Sequence, residues 1–231
     1  STNHKLEKSN KELERFAYIA SHDLKEPLRN ISSFVNLIDR KIGKKDYSGL
    51  EEYIGFVKKG AQMMNNLIND VLSFSKISDE KIEMSWVDTE RITNLMLSNL
   101  EEKILERHTE ISFGSLPEIY AAKSDVIRLF QNLISNALKY NKSESRKLEI
   151  SYTTRDGFYI FSFNDNGIGI DEAFQGQVFA MFKRLHSRGE YEGTGIGLAV
   201  CKKIVEKYGG EIWLKSKEGQ GTCFSFSFPI F

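Results

Sequence analysis

One histidine stands among a concentration of ionisable groups in Ser21-His22-Asp23-Leu24-Lys25-Glu26-Pro27-Leu28-Arg29. A nucleophilic imidazole needs one ring nitrogen free and the other held by a proton acceptor, and the adjacent Asp23 carboxylate is the candidate for that hold. Taken alone, such a histidine is also compatible with a core or surface position that has no chemistry. Farther along, Asn132, Asn136 and Lys139 are spaced by four and three residues, which puts all three on one helix face. Amide oxygens there suit Mg²⁺ or its waters and the amine suits phosphate, although an ordinary polar face has the same composition. The run Asn164-Asp165-Asn166-Gly167-Ile168-Gly169-Ile170 follows an apolar strand, and its alternate glycines allow a turn that approaches a ligand closely. Asp165 is placed to accept from an adenine amino group; a plain tight turn is the other reading. Last, Gly193-Thr194-Gly195-Ile196-Gly197-Leu198 opens a helix whose first amides suit phosphate oxygens. It lacks the Gly-Lys-Ser/Thr ending of a Walker A loop and does not follow the first strand of a dinucleotide-binding unit. Between the two glycine runs, Asp171 to Glu192 carries Phe179, Phe182, Lys183, Arg184 and Arg188 and has the length of a mobile lid.

These groups need two kinds of scaffold. Leu6, Leu13, Ala17, Ala20, Leu24, Pro27, Ile31, Phe34 and Ile38 recur at steps of three, four or their sum and predict one long amphipathic helix, with Pro27 expected to kink it. At about 100° per residue His22 falls roughly opposite this seam and faces water. The stretch Gly43 to Gly49 predicts a turn, and Leu50, Ile54, Val57, Ala61, Met64, Ile68 and Val71 predict the seam of a second helix. Each helix offers an apolar stripe that one hairpin covers only in part, so two hairpins are expected to pair as a four-helix bundle. A hinge is expected at Lys76 to Glu83. Beyond it the pattern turns to strands at Ser85 to Asp88, Leu148 to Thr153, Phe158 to Phe163, Glu211 to Lys215 and Thr222 to Phe228. Helices are predicted at Thr89 to Glu106, Ser124 to Tyr140 and Gly195 to Tyr208, which together imply a mixed sheet covered on one face.

The chain has 231 residues and 40% apolar content, enough for two moderate domains. Lys plus Arg and Asp plus Glu both number 32, so no global field recruits nucleic acid or an anionic membrane. Cys201 and Cys223 have neither metal-ligand spacing nor a disulfide framework, which fits a reducing cytoplasm. No stretch approaches the roughly 20 apolar residues of a membrane span. The polar opening, Ser1 to Lys11, continues the helical phase and predicts an attached upstream domain.

In their order these motifs resemble the transmitter module of sensor histidine kinases, and the wording around His22 and Phe182 is similar to the phytochrome-like, PAS-linked branch. The resemblance implies an α plus α/β fold: residues 1–80 as a helical hairpin forming a dimeric four-helix bundle that carries the phosphoacceptor, and residues 81–231 as a GHKL-type α/β sandwich that binds ATP. It implies phosphorylation at His22, with Asp23 as general base, and Mg²⁺ at Asn136. Asn132 and Lys139 lie near the phosphates, Tyr140 beside the base, and Asp165, Gly167 and Gly169 at the adenine. Thr194, Gly195, Gly197 and Leu198 form the phosphate-side loop, while Arg184 is the lid cation. The partners implied are a second copy, a response-regulator receiver domain and an upstream sensor.

Two positions separate this chain from neighbouring patterns. Relatives that dephosphorylate their partners often carry Thr or Asn four residues after the histidine; here it is Glu26, so phosphatase activity is not carried over. Gyrase-like ATPases activate water with a Glu at the position of Asn132, which favours transfer to His22 over hydrolysis. A gyrase- or chaperone-like ATPase and a non-catalytic dimeric scaffold are the competing readings.

Overall fold

The computed structural model describes the backbone of residues 2–76, 83–183, 185 and 193–231, and the side chains of these residues apart from 2–20 and 73–76. The chain divides into two compact units, Ser1–Ser75 and Lys76–Phe231.

The first unit is a helical hairpin of α1 (Thr2–Gly43) and α2 (Leu50–Lys76). The turn between them is locked by polar contacts: Lys41 Nζ lies 3.0 Å from Asp46 Oδ2, and Asp46 Oδ1 accepts from the Ser48 amide at 3.0 Å and the Ser48 hydroxyl at 2.6 Å. Those donors hold the Asp46 carboxyl at a pKa of about 2, with the Ser48 hydroxyl the largest cause. Leu24, Pro27, Ile31, Phe34 and Ile38 are shielded, and Phe34 stacks on Phe56 with ring centroids 4.5 Å apart. A Cβ on Gly60 would lie 2.7 Å from Ile31 Cγ1, so the helices approach closely there.

The predicted seam of α2 merges two faces. Leu50, Val57, Met64 and Val71 are shielded together with Tyr53 and the buried Leu67, whereas Ile54, Ala61 and Ile68 are exposed. Helix α1 has a matching second stripe: Leu28, Val35 and Ile42, seven residues apart, are 50%, 47% and 50% exposed. A seven-residue recurrence beside the inner seam is the pattern of a bundle helix with a further neighbour to meet.

The second unit contains β1 (Ser85–Asp88), α3 (Thr89–Asn99), α4 (Glu101–Glu106), β2 (Thr109–Phe113), β3 (Glu118–Ala121), α5 (Lys123–Lys139), β4 (Arg146–Arg155), β5 (Phe158–Asp165), α6 (Glu172–Gln175), α7 (Gly197–Lys207), β6 (Ile212–Lys217) and β7 (Gly221–Pro229). The main sheet has the order β2-β4-β5-β7-β6; β2 and β4 are parallel and the remaining pairs antiparallel. Strands β1 and β3 form a separate antiparallel pair. This is the mixed-sheet α/β domain expected, with two differences. The helix predicted from Thr89 to Glu106 is interrupted where Leu100 leaves helical geometry (φ −109°, ψ 8°), and β2 and β3 lie in a stretch the alternation did not mark.

The core sits between the sheet and helices α5 and α7. Val126, Leu129, Phe130, Leu133, Ile134 and Ala137 form the buried face of α5, at the three- and four-residue steps of an amphipathic helix. Phe130 meets Phe161, Phe163 and Phe226 edge-on at 5.8, 5.3 and 6.1 Å, the arrangement aromatic quadrupoles favour. At the far end of the helices the buried Asp125 accepts from Lys207 Nζ at 2.7 Å and Tyr208 OH at 2.8 Å, while Tyr208 OH accepts from the Ala122 amide at 3.0 Å. This ties the first turn of α5 to the end of α7. At the other end, Asn132 Oδ1 reaches the start of α7 at Gly197. The two helices therefore run antiparallel, and the polar groups of α5 meet the loop that opens α7.

Candidate active site

Helix α1 presents His22 outward. Its side chain is 69% exposed and that of Asp23 is 14% exposed. His22 Nδ1 lies 3.2 Å from Asp23 Oδ1, which leaves Nε2 as the ring nitrogen open to a reactant. Glu26 is half-buried, and Pro27 is buried within a helix that continues to Gly43. Having no N–H, Pro27 withholds the helical bond that the Asp23 carbonyl would otherwise receive.

In the second unit the alternation of β5 decides where Asp165 points. Phe161 and Phe163 face α5, and a strand returns to the same face every second residue, so Asp165 emerges on that side at the strand's end. Its Oδ1 accepts from the amides of Gly167 (2.8 Å) and Thr222 (3.3 Å), leaving Oδ2 for a ligand. Burial raises the carboxyl pKa to about 6, against the opposing pull of those two amides. The glycines that follow are dictated by backbone proximity. A Cβ at Gly167 would stand 2.4 Å from the Tyr140 carbonyl oxygen, and Gly169 has φ +69° with the Lys217 carbonyl 2.0 Å from its would-be Cβ.

Helix α5 supplies the facing groups. Asn132 Nδ2 donates to the Arg128 carbonyl at 2.9 Å, so its Oδ1 is the atom turned towards Gly197. Asn136, half-buried one turn on, makes no side-chain hydrogen bond among the described residues. Lys139 Nζ donates to Tyr140 OH at 2.7 Å and lies 4.3 Å from the centroid of that ring. It also stands 2.7 Å from the point a Cβ on Gly193 would occupy, which places the amine beneath the second glycine loop. In that loop Thr194 is buried, with Oγ1 accepting from the Ile196 amide at 3.4 Å. The first helical bond of α7 is Val200 N to Ile196 O, at 2.9 Å. The amides of Gly197, Leu198 and Ala199 precede it and suit an anion, in the manner of any uncapped helix start.

The structure thus gathers Asn132, Asn136, Lys139, Tyr140, Asp165, Gly167, Gly169, Thr194, Gly195, Gly197 and Leu198 around the junction of α5, the end of β5 and the start of α7. Arg184 and Arg188 lie outside the described residues, as do the side chains of Leu6, Leu13, Ala17 and Ala20. Phe179 and Phe182 are half-buried; Phe179 meets Phe224 edge-on at 6.2 Å, and Phe182 adopts a left-handed φ of 58°. Sequence reasoning missed Thr222, which the β5–β7 register puts opposite Asp165, and the side chains of Asn141 and Asn166 behind the turn. Strand pairing was the available signal for Thr222; the two asparagines carried none.

Comparison with known proteins places these features. Residues 12–80 match the His Kinase A (phospho-acceptor) domain model, and residues 121–231 match the model of histidine kinase-, DNA gyrase B- and HSP90-like ATPases. The phytochrome-like protein Cph1 of Synechocystis is 40% identical over 97% of this chain, and cyanobacterial phytochrome A of Nostoc is 40% identical over 98% of it. The chain spans only 30% of the length of each. The adaptive-response sensory kinase SasA of Prochlorococcus marinus is 31% identical over 99% of this chain and 61% of its own length. Among solved structures, the histidine kinase ThkA in complex with the response regulator TrrA shares the fold over 100% of this chain and 67% of its own, with TM-score 0.74 and 20% identity. With a phospho-acceptor hairpin at one end and a GHKL-type α/β domain at the other, the chain belongs to the histidine kinases.

Proposed function

We propose that this chain is a transmitter in which ATP, bound by residues 81–231, phosphorylates His22 of the helical hairpin at residues 1–80, and that the phosphoryl group then passes to an aspartate of a response-regulator receiver domain. The observation that carries this reading is the pairing, on one chain, of an exposed imidazole whose Nδ1 is held by Asp23 with a partly buried carboxylate, Asp165, set against an amide-and-lysine helix face and an uncapped helix start.

In the reaction Nε2 of neutral His22 attacks the γ-phosphorus, the bond from that phosphorus to the β,γ-bridging oxygen breaks, and ADP departs. Asp23 orients the ring and stabilises the proton on Nδ1 as charge develops there. Phosphoryl transfer asks mainly for alignment and charge neutralisation, and the Lys139 amine with the Gly197–Ala199 amides supplies both at the phosphate end. Asp165 Oδ2 accepts from the adenine amino group, and the Tyr140 ring lies beside the base. The half-buried Asn136 carboxamide, which makes no side-chain hydrogen bond among the described residues, fits a hard cation that prefers oxygen ligands, so it would hold Mg²⁺, which would offset phosphate charge. Arg184 is assigned to the transferring phosphate by resemblance alone. Leu28, Val35 and Ile42 with Ile54 and Ile68 are the surface through which a second copy completes a four-helix bundle. No helix among the described residues is long and apolar enough to cross a membrane, and we place this portion in the cytoplasm, joined to an upstream sensor.

Incubation with γ-labelled ATP and Mg²⁺ tests the reading. Wild-type chain should take up acid-labile label and His22→Gln should take up none. Phosphate release without protein labelling would mark a gyrase-like ATPase, and nucleotide binding with neither outcome would mark a scaffold.

A further inference from the structure

The turn after β5 is fastened far more heavily than a glycine turn needs. Asn166 Oδ1 accepts from Asn141 Nδ2 at 2.8 Å and from the Lys147 amide at 2.7 Å, while its Nδ2 donates to the Ser145 carbonyl at 2.7 Å. Its backbone adds two bonds, from Asn166 N to the Lys147 carbonyl at 3.4 Å and from the Ser143 hydroxyl to the Asn166 carbonyl at 2.7 Å. Asn141 is itself buried and accepts from the Ser143 amide at 3.0 Å, and Arg146 Nε donates to the Asn141 carbonyl at 2.9 Å. One side chain thus gathers the whole connection between α5 and β4.

The placement of this hub matters. Asp165 precedes it directly. Gly167 follows it and lies against the Tyr140 carbonyl, which also accepts from the Ile168 amide at 2.9 Å. Tyr140 in turn follows Lys139 at the end of α5. The span from Asp165 to the Lys139–Tyr140 end of that helix is therefore set by two adjoining groups of contacts, those of Gly167 and Ile168 with the Tyr140 carbonyl and those of residue 166 with the connection that follows Tyr140. A carboxamide suits the position because it offers a two-lone-pair acceptor and a donor from one short planar group. Aspartate keeps the acceptor and loses the donor; alanine loses both.

We propose that Asn166 is a positioning residue for nucleotide binding: it fixes Asp165 relative to Lys139 and Tyr140, so that the base and the phosphates are met at one spacing. The inference rests on the nucleotide-site reading above, and the two fail separately. If the wild type binds no ADP, that reading fails. If the wild type binds and the Asn166 variants bind equally well, this inference fails.

The experiment uses the full chain with ADP and Mg²⁺ in titration calorimetry, and ATP in His22 labelling. Displacing binding groups from their proper spacing by a fraction of an ångström weakens contacts made alike in ground and transition states, so Asn166→Ala should raise Kd and KM about tenfold and leave kcat within about twofold. Asn166→Asp should fall between alanine and wild type. Asn141→Ala combined with Asn166→Ala should add little to the single Asn166→Ala change, because both remove one shared bond. A purely structural latch would lower the melting temperature and leave Kd and KM where they were; that result overturns the proposal, as does a fall in kcat at unchanged KM. If Asn166→Ala does not fold, the Asn166→Asp and Asn141→Ala values decide it: raised Kd supports the proposal and wild-type Kd sinks it.

Discussion

Replacing Asp165 by Asn should make the second unit more stable at neutral pH while removing its grip on nucleotide. Asn keeps an oxygen for the Gly167 and Thr222 amides and removes only the charge. Burial pushes the carboxyl from its ordinary 3.8 up to about 6, so the fold favours the protonated form. The associated stability is fully present below 3.8 and is lost as pH rises through 6. Above that pH the ionised carboxylate costs the folded chain about 3 kcal/mol relative to the unfolded one, reduced to about 1–3 by the solvent that still reaches it. For a unit of this size that is roughly 2–10 °C in melting temperature. Both tryptophans, Trp86 and Trp213, lie in the second unit, so their fluorescence follows its unfolding without interference from the hairpin. Asp165→Asn should melt higher than wild type at pH 7.5, the gap should narrow between pH 6 and 4, and ADP titration at pH 7.5 should show binding lost. A variant equally or less stable at pH 7.5, or a gap independent of pH, would refute the argument that desolvation dominates at Asp165.

Other changes test the scaffold. Gly169→Ala puts a Cβ into the Lys217 carbonyl at a left-handed backbone position; it should cost at least about 1–3 kcal/mol in urea unfolding and weaken ADP binding with it. Asp125→Ala strips the buried partner from Lys207 and Tyr208 and should cost about 3–5 kcal/mol by the same measurement, with the shortfall shrinking if Lys207 is changed to Met as well. Val35→Asp with Ile68→Asp should give a monomer by light scattering at micromolar concentration while ADP binding is retained, since both substitutions lie in the hairpin.

What could be read from the sequence follows from the range of the forces involved. The part of the α1 seam from Leu24 to Ile38 was legible, as were the limits of α5 and α7 to within a residue or two, because a helix declares itself over 3.6-residue repeats in its own chain. Strand β1 was legible at Ser85–Asp88, but its partner β3 was not: the two pair across an intervening stretch, Ser85 with Ala121, so the order of Glu118–Ala121 comes from distant residues rather than from its own pattern. The merging of the two faces of α2 has a related cause. Steps of three and four fit both an inner seam and a flank offset by one position, and only the partner helix separates Val57, which is covered, from Ile54, which is not.

The same distinction runs through the site. Asn132, Asn136 and Lys139 were placed on one face by local spacing, and β5 aims Asp165 by local alternation. Thr222 becomes part of that site only through the β5–β7 register, which sets it opposite Asp165 and lets its amide share Oδ1 with Gly167. Asn166 is hidden more deeply, since the partners of its side chain lie in an irregular connection that obeys neither period. The consequence is chemical as well as architectural. Groups that touch a ligand recur in recognisable order because the ligand demands them, whereas groups that hold those residues apart answer only to the local backbone. On the proposed nucleotide reading, the residues flanking Asp165 carry the site's geometry and Asp165 its recognition, and the Asn166 and Asp165 variants separate the two.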